Sequence, residues 1–120
     1  MKIEVSIAEI VDKLSILEIK KNKILDSNKL INIKKEFDYL KNIVFNELKI
    51  EINDYVDLSE INLKLWNIEE SIRRKEMLNE FDSNFIELAR SVYISNDLRF
   101  QIKCIINQKY RSTFNEEKSY

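Results

Sequence analysis

The sequence predicts an all-α protein, an antiparallel up-down four-helix bundle, on three observations. Its 120 residues include neither glycine nor proline. Left-handed turns and hairpins are then poorly supplied, which disfavours an all-β fold and favours helices joined by Asn, Asp and Ser turns. Apolar residues recur at three- and four-residue spacing through four successive stretches, the period of amphipathic helices. Short polar clusters suited to capping separate these stretches, and helices joined by short turns are antiparallel neighbours.

After an extended lead-in over residues 1–5, Ser6-Ile7-Ala8-Glu9 is a capping box, with Val5 and Ile10 at the staple positions. The first helix follows with Ile7, Val11, Leu14 and Leu25 on its core stripe and Ile10 and Leu17 widening it. Glu18 falls inside that stripe. Ile16 and Ile19 lie on the other side near Asp12 and predict a second apolar contact, with another helix or another copy of the chain. Asp26-Ser27-Asn28 is a polar turn. The second helix carries Leu30, Ile33, Phe37, Leu40, Val44 and Leu48 on one face and lysines on the other.

Asp57-Leu58-Ser59-Glu60 repeats the capping-box pattern and opens the third helix, whose core face is Leu58, Ile61, Leu65, Ile68 and Ile72. Along its edge run Asn62, Trp66, Glu69, Arg73 and Glu76, spaced so that Glu69–Arg73 and Arg73–Glu76 pair along the helix. A turn over 81–84, capped by Asp82, Ser83 or Asn84, leads into the fourth helix. Ser95-Asn96-Asp97 is where that helix has alternative hydrogen bonds and a reason to bend. Residues 1–111 are thus expected to form one domain, with helices over about 6–26, 29–51, 58–80 and 84–110 and a frayed polar tail over 112–120.

The fourth helix carries the least ordinary pattern. At about 100° per residue, Phe85, Leu88 and Val92 share a core stripe. The same stripe continues as Asn96, Arg99 and Lys103, with Asn107 beside them, while Arg90, Tyr93 and Asp97 form a second polar line. Polar groups in line with a core stripe need partners, because each unpaired buried one costs roughly 1–3 kcal/mol. Only Arg73, Arg74, Arg90, Arg99 and Arg111 are arginine in a chain that otherwise uses lysine, which favours sites that need a planar fork.

Composition excludes several chemistries. With no histidine there is no Ser-His-Asp or Cys-His dyad, and with no glycine there is no P-loop or G-x-G-x-x-G cradle. No catalytic residue, metal ligand or cofactor is assigned, and the repeated E-x-x-E pattern of Mg²⁺-binding all-α pyrophosphatases is absent. A net charge of -1 gives no general attraction to nucleic acid, and the lysines of the first half lack aromatic interleaving. No apolar run approaches the roughly 20 residues that span a bilayer. One cysteine, Cys104, and no secretory pattern point to the cytoplasm.

DKLSILEIK at Asp12–Lys20, LWNIEESIRRKE at Leu65–Glu76 and FIELARSVYISNDLRFQIKCIIN at Phe85–Asn107 together resemble a family of small uncharacterised bacterial all-helical proteins, a domain of unknown function. The resemblance implies one compact domain and no catalytic residue.

The residues themselves suggest a binding or regulatory module with a polar site between helices. Its residues are Glu18, Asn62, Glu69, Arg73, Glu76, Arg90, Tyr93, Asn96, Asp97, Arg99 and Lys103. Arg99, Lys103 and Arg73 would hold a small phosphate- or carboxylate-bearing ligand, and Asn96 and Tyr93 would orient it. The alternative is a structural or interaction protein in which these residues form an internal network and the Ile16/Ile19 face makes a homo-oligomer.

Overall fold

The structure, a computed structural model, describes residues 1–118. Helix accounts for 77% of them and no strand occurs among the described residues, so the all-α expectation holds. The elements are α1 (Ile7–Lys23), α2 (Ser27–Asn42) with a π-helical turn at Ile43–Glu47, α3 (Ile52–Met77) and α4 (Ser83–Lys109). α1 packs against α2, α3 and α4, and α3 packs along α4, contacts consistent with a helical bundle. No helix among the described residues is long and apolar enough to cross a membrane.

Local chemistry sets the ends. The Ser6 hydroxyl accepts from the Glu9 N–H at 3.2 Å, and Lys20, Lys21 and Lys23 complement the dipole at the last turn. α1 stops three residues before the expected end because Asp26 caps α2, its Oδ1 accepting from the N–H groups of Asn28 and Lys29 at 2.9 and 3.0 Å. The second helix stops short of residue 51: the Leu48 N–H reaches back to the Ile43 carbonyl at 2.8 Å, and Lys49 turns left-handed at φ 57°. Asn79 at φ 53° and Arg111 at φ 56° end α3 and α4 in the same way. Their Schellman-type bonds run from Glu80 N–H to Lys75 C=O and from Ser112 N–H to Asn107 C=O. Without glycine, Asn79 takes one of these positions readily, while Lys49 and Arg111 take the others at a cost of roughly 1–2 kcal/mol each.

The start of α3 corrects the sequence reading. Asp57-Leu58-Ser59-Glu60 is helix interior, and the Ser59 hydroxyl donates back to the Tyr55 carbonyl at 2.8 Å. The helix begins at Ile52 instead, where the Glu51 N–H donates to the Tyr110 hydroxyl at 2.8 Å. α4 opens on Asp82, whose carboxylate accepts from the Phe85 N–H at 2.9 Å, and continues helical through Ser95-Asn96-Asp97. The tail expected to fray is tied back: Ser112 accepts from the Ile7 N–H at 3.0 Å and Glu116 reaches Lys103. The last two residues of that expectation, Ser119 and Tyr120, lie outside the described residues.

The core gathers on α1. Ala8, Val11 and Leu14 are fully buried and meet Phe37, Val44, Tyr55, Leu58, Ile61 and Ile106. Burial is confined to one half of the α3–α4 hairpin. Between Glu69 and Ile94 no residue is buried, so the stripe Phe85–Leu88–Val92 is only half covered. α1 leaves that far half without a third helix, and it extends as a two-helix arm.

Candidate functional site

The centre of the polar arrangement is Asp12, one turn after the fully buried Ala8 on α1 and itself only 4% exposed. Its Oδ1 accepts from Asn62 Nδ2 at 2.8 Å and from Arg99 Nε at 3.0 Å. Arg99 Nη2 donates to Oδ2, completing a bidentate pair. Asn62 spends its second amide hydrogen on the Ser15 hydroxyl at 2.7 Å, and that hydroxyl donates to the Asp12 carbonyl at 2.7 Å. Three helices are joined at one carboxylate. Hydrogen bonding to Asp12, against the opposing effect of burial, raises the Arg99 pKa further.

One turn along α4, Lys103 is buried. Its ammonium donates to Glu9 of α1 and, at 3.1 Å, to Glu116 of the tail. Burial alone would lower its pKa, but the bonds to the two carboxylates outweigh it and the net shift is upward. Asn107, a turn further, accepts from the buried Ala8 N–H at 2.9 Å. Satellite contacts extend the seam. The Tyr55 phenol donates to Glu18, and burial followed by that bond pushes its pKa well above the tyrosine range. Lys109 holds Glu51 and Asp54 at 2.9 Å each, and Tyr110 also donates to Asp54.

These shifts make an alkaline prediction. Tyr55 and Lys103 have folded pKa values raised above their unfolded values of about 10 and 10.4. The folded state then binds more protons, so their contribution is complete below about pH 10 and is lost as pH rises through the folded values. The urea midpoint should stay level from pH 7 to about pH 10 and fall above it. Tyr55→Phe should flatten part of that fall.

Of the eleven residues singled out by sequence, Asn62, Arg99 and Lys103 join the seam and Glu18 lies beside it. The others do not come to it. Glu69, Arg73 and Glu76 are exposed on the arm, and the expected Glu69–Arg73 and Arg73–Glu76 pairs do not form among the described residues. Trp66 donates instead to Glu70 at 2.8 Å. Arg90 is exposed with only a 3.6 Å contact to Glu87, Tyr93 is exposed, and Asn96 and Asp97 are half-buried.

Of the two contacts expected for the Ile16/Ile19 face, the one with another helix of the same chain is present: Ile19 is buried within the chain, and Ile16 lies in the cleft beside Glu36 and Leu40 of α2. Missing from the sequence reading are Glu9, Asp12, Ser15 and Glu116. One signal was available. Ala8, Asp12, Ser15 and Ile19 share a helical face at i, i+4, i+7 and i+11, a small-and-polar stripe that suits close helix contact.

The seam carries two cations, Arg99 and Lys103, against three carboxylates, Asp12, Glu9 and Glu116. Among the described residues no group of three His, Cys, Asp or Glu is placed to hold a metal ion. Such an arrangement braces helices and holds Asp12 and Glu9 in ion pairs.

In comparison with known families, residues 1–120 match the model described as "Family of unknown function (DUF6165)", and the chain belongs to that family. Neither the curated proteins nor the solved structures contain a match to it.

Proposed function

We propose that this member of the family is a helical interaction module, braced internally by the Asp12–Arg99 seam, whose α3–α4 arm is the part offered to a partner. One observation carries the reading: each seam cation is already paired with a carboxylate of the same chain. An anion approaching Arg99 would have to displace Asp12 from a buried contact that is costly to break. In this reading the chain forms one domain that includes the tied-back segment with Ser112 and Glu116, its four helices run up and down in sequence, and the protein works in the cytoplasm, in keeping with its single Cys104.

A second reading, a site for a small phosphate- or carboxylate-bearing ligand, is favoured by Glu116. Its carboxylate comes from the non-helical tail and remains 39% exposed while bonded to Lys103. A free anion can take the same acceptor position, with Arg99 alongside. Thermal unfolding with inorganic phosphate or citrate separates the readings, in wild type and in Glu116→Gln. The bracing reading expects no specific rise in either protein. A ligand at a hundred times its Kd would add about 2.7 kcal/mol, a shift of several degrees, and such a rise in Glu116→Gln would favour the ligand site.

A further inference from the structure

The arm has an unmet packing requirement. Both helices continue through it, yet no residue from Glu69 to Ile94 is buried. Helical stability in proteins comes mainly from packing an apolar face. One side of the arm is a continuous groove made by two clefts of about 550 and 450 Å³ that meet at Ser71 and Leu88. Leu63, Ile68 and Leu78 complete its floor. From Leu63 to Leu78 it runs about 22 Å at 1.5 Å per residue.

The charges on its rims select the occupant. Arg74 stands on the α3 side and Glu87 on the α4 side of the same cleft. Lys75, the neighbour of Arg74, is neutralised by Glu80 and Asp82 at 3.2 and 2.9 Å. Arg74 forms no ion pair among the described residues, and Glu87 has only the exposed 3.6 Å contact with Arg90. Lys75 reaching Asp82 across the turn sets Arg74 and Glu87 at similar heights on the hairpin. The second cleft carries Glu60 and Lys64, both on α3, but where Arg74 faces Glu87 the rim is positive on one helix and negative on the other, and that stretch is complementary to itself under a two-fold axis along the groove. That axis lays α3 of one copy over α4 of its partner, antiparallel. Each Arg74 then meets the other copy's Glu87, over a shared floor in which Leu63, Ile68, Leu78 and Leu88 lie among Asn67, Ser71, Asn84 and Ser91.

We infer that the groove of the α3–α4 arm is covered by a second copy of this chain, two arms closing into a four-helix bundle with two reciprocal Arg74–Glu87 pairs. This rests on the interaction-module reading and makes it specific.

Sedimentation velocity at micromolar concentration tests it on wild type, Arg74→Glu, Glu87→Arg and the double variant, with circular dichroism to confirm that each is folded. Wild type should sediment at twice the 14.4 kDa chain mass. Each single reversal places like charges together and should weaken the dimer at least about tenfold; the double variant should restore it. A monomeric wild type, a dimer indifferent to the single reversals, or a double variant weaker than both would overturn the inference. Those failures leave the braced-module reading standing for a different partner; that reading fails separately, if Asp12 and Arg99 prove energetically independent.

Discussion

Replacing Arg99 with methionine is expected to lower the free energy of unfolding by about 3 kcal/mol, read as a lower urea midpoint at unchanged slope. Methionine keeps the length and the apolar stem but removes the fork. The Asp12 carboxylate, 4% exposed, is then left with Asn62 as its one side-chain donor. Breaking a buried pair from one side typically costs about 3–5 kcal/mol. The lower end applies because the Arg99 side chain keeps 27% of its surface in solvent. An unchanged or raised midpoint would mean that Arg99 is held in readiness for a ligand, since binding sites often sacrifice stability.

The second large effect separates the two halves of the α3–α4 hairpin. Leu58→Ala removes a fully buried side chain from the core around α1 and should cost about 2–5 kcal/mol, depending on how far the cavity collapses. Ile72→Ala, at a half-buried position on the same helix within the arm, should cost about 1 kcal/mol or less. Urea unfolding of both variants gives the comparison directly. Equal losses would mean that the arm is packed as tightly as the body and needs no partner. A large loss at Leu58 alone would place the stability of α3 where α1 covers it.

Much of this was legible in the sequence because it depends on local chemistry. The Ser6 cap and the polar turns at Asp26–Asn28 and 81–84 follow from residues within a few positions of one another, and the absence of glycine and proline from composition alone. Arg99 and Lys103 were conspicuous as polar groups on a core-facing stripe, and Asn62 as one on the edge of another. Their common partner was not. An aspartate beside Ile16 was placed near the helix's second apolar contact but given no partner, and only the approach of α3 and α4 supplies Asn62 and Arg99. The start of α3 was hidden for the same reason: Tyr110, 59 residues away, supplies the acceptor that a local capping residue would have supplied.

Periodicity also overreached on the arm. Phe85, Leu88 and Val92 have the spacing of a buried stripe, but spacing cannot say whether another helix arrives to cover it. With α1 lying over the near half only, the same stripe that holds Arg99 and Lys103 in the seam leaves Asn96 half-buried. The polar residues of the arm therefore remain apart from those of the seam. Lys49 and Arg111 were unreadable as helix stops because left-handed ends are usually marked by glycine or asparagine.

The most direct test of the internal brace is a double-mutant cycle on Asp12 and Arg99, with Asp12→Leu, Arg99→Met and the combined variant unfolded in urea beside wild type. Leucine and methionine fill similar space without charge, so the double variant leaves neither ion buried alone. The brace predicts that each single variant is strongly destabilised and that the double recovers at least about 1.5 kcal/mol of the summed loss, within the range for residues in one network. Losses that add to within about 0.5 kcal/mol would show two independent groups and would contradict it.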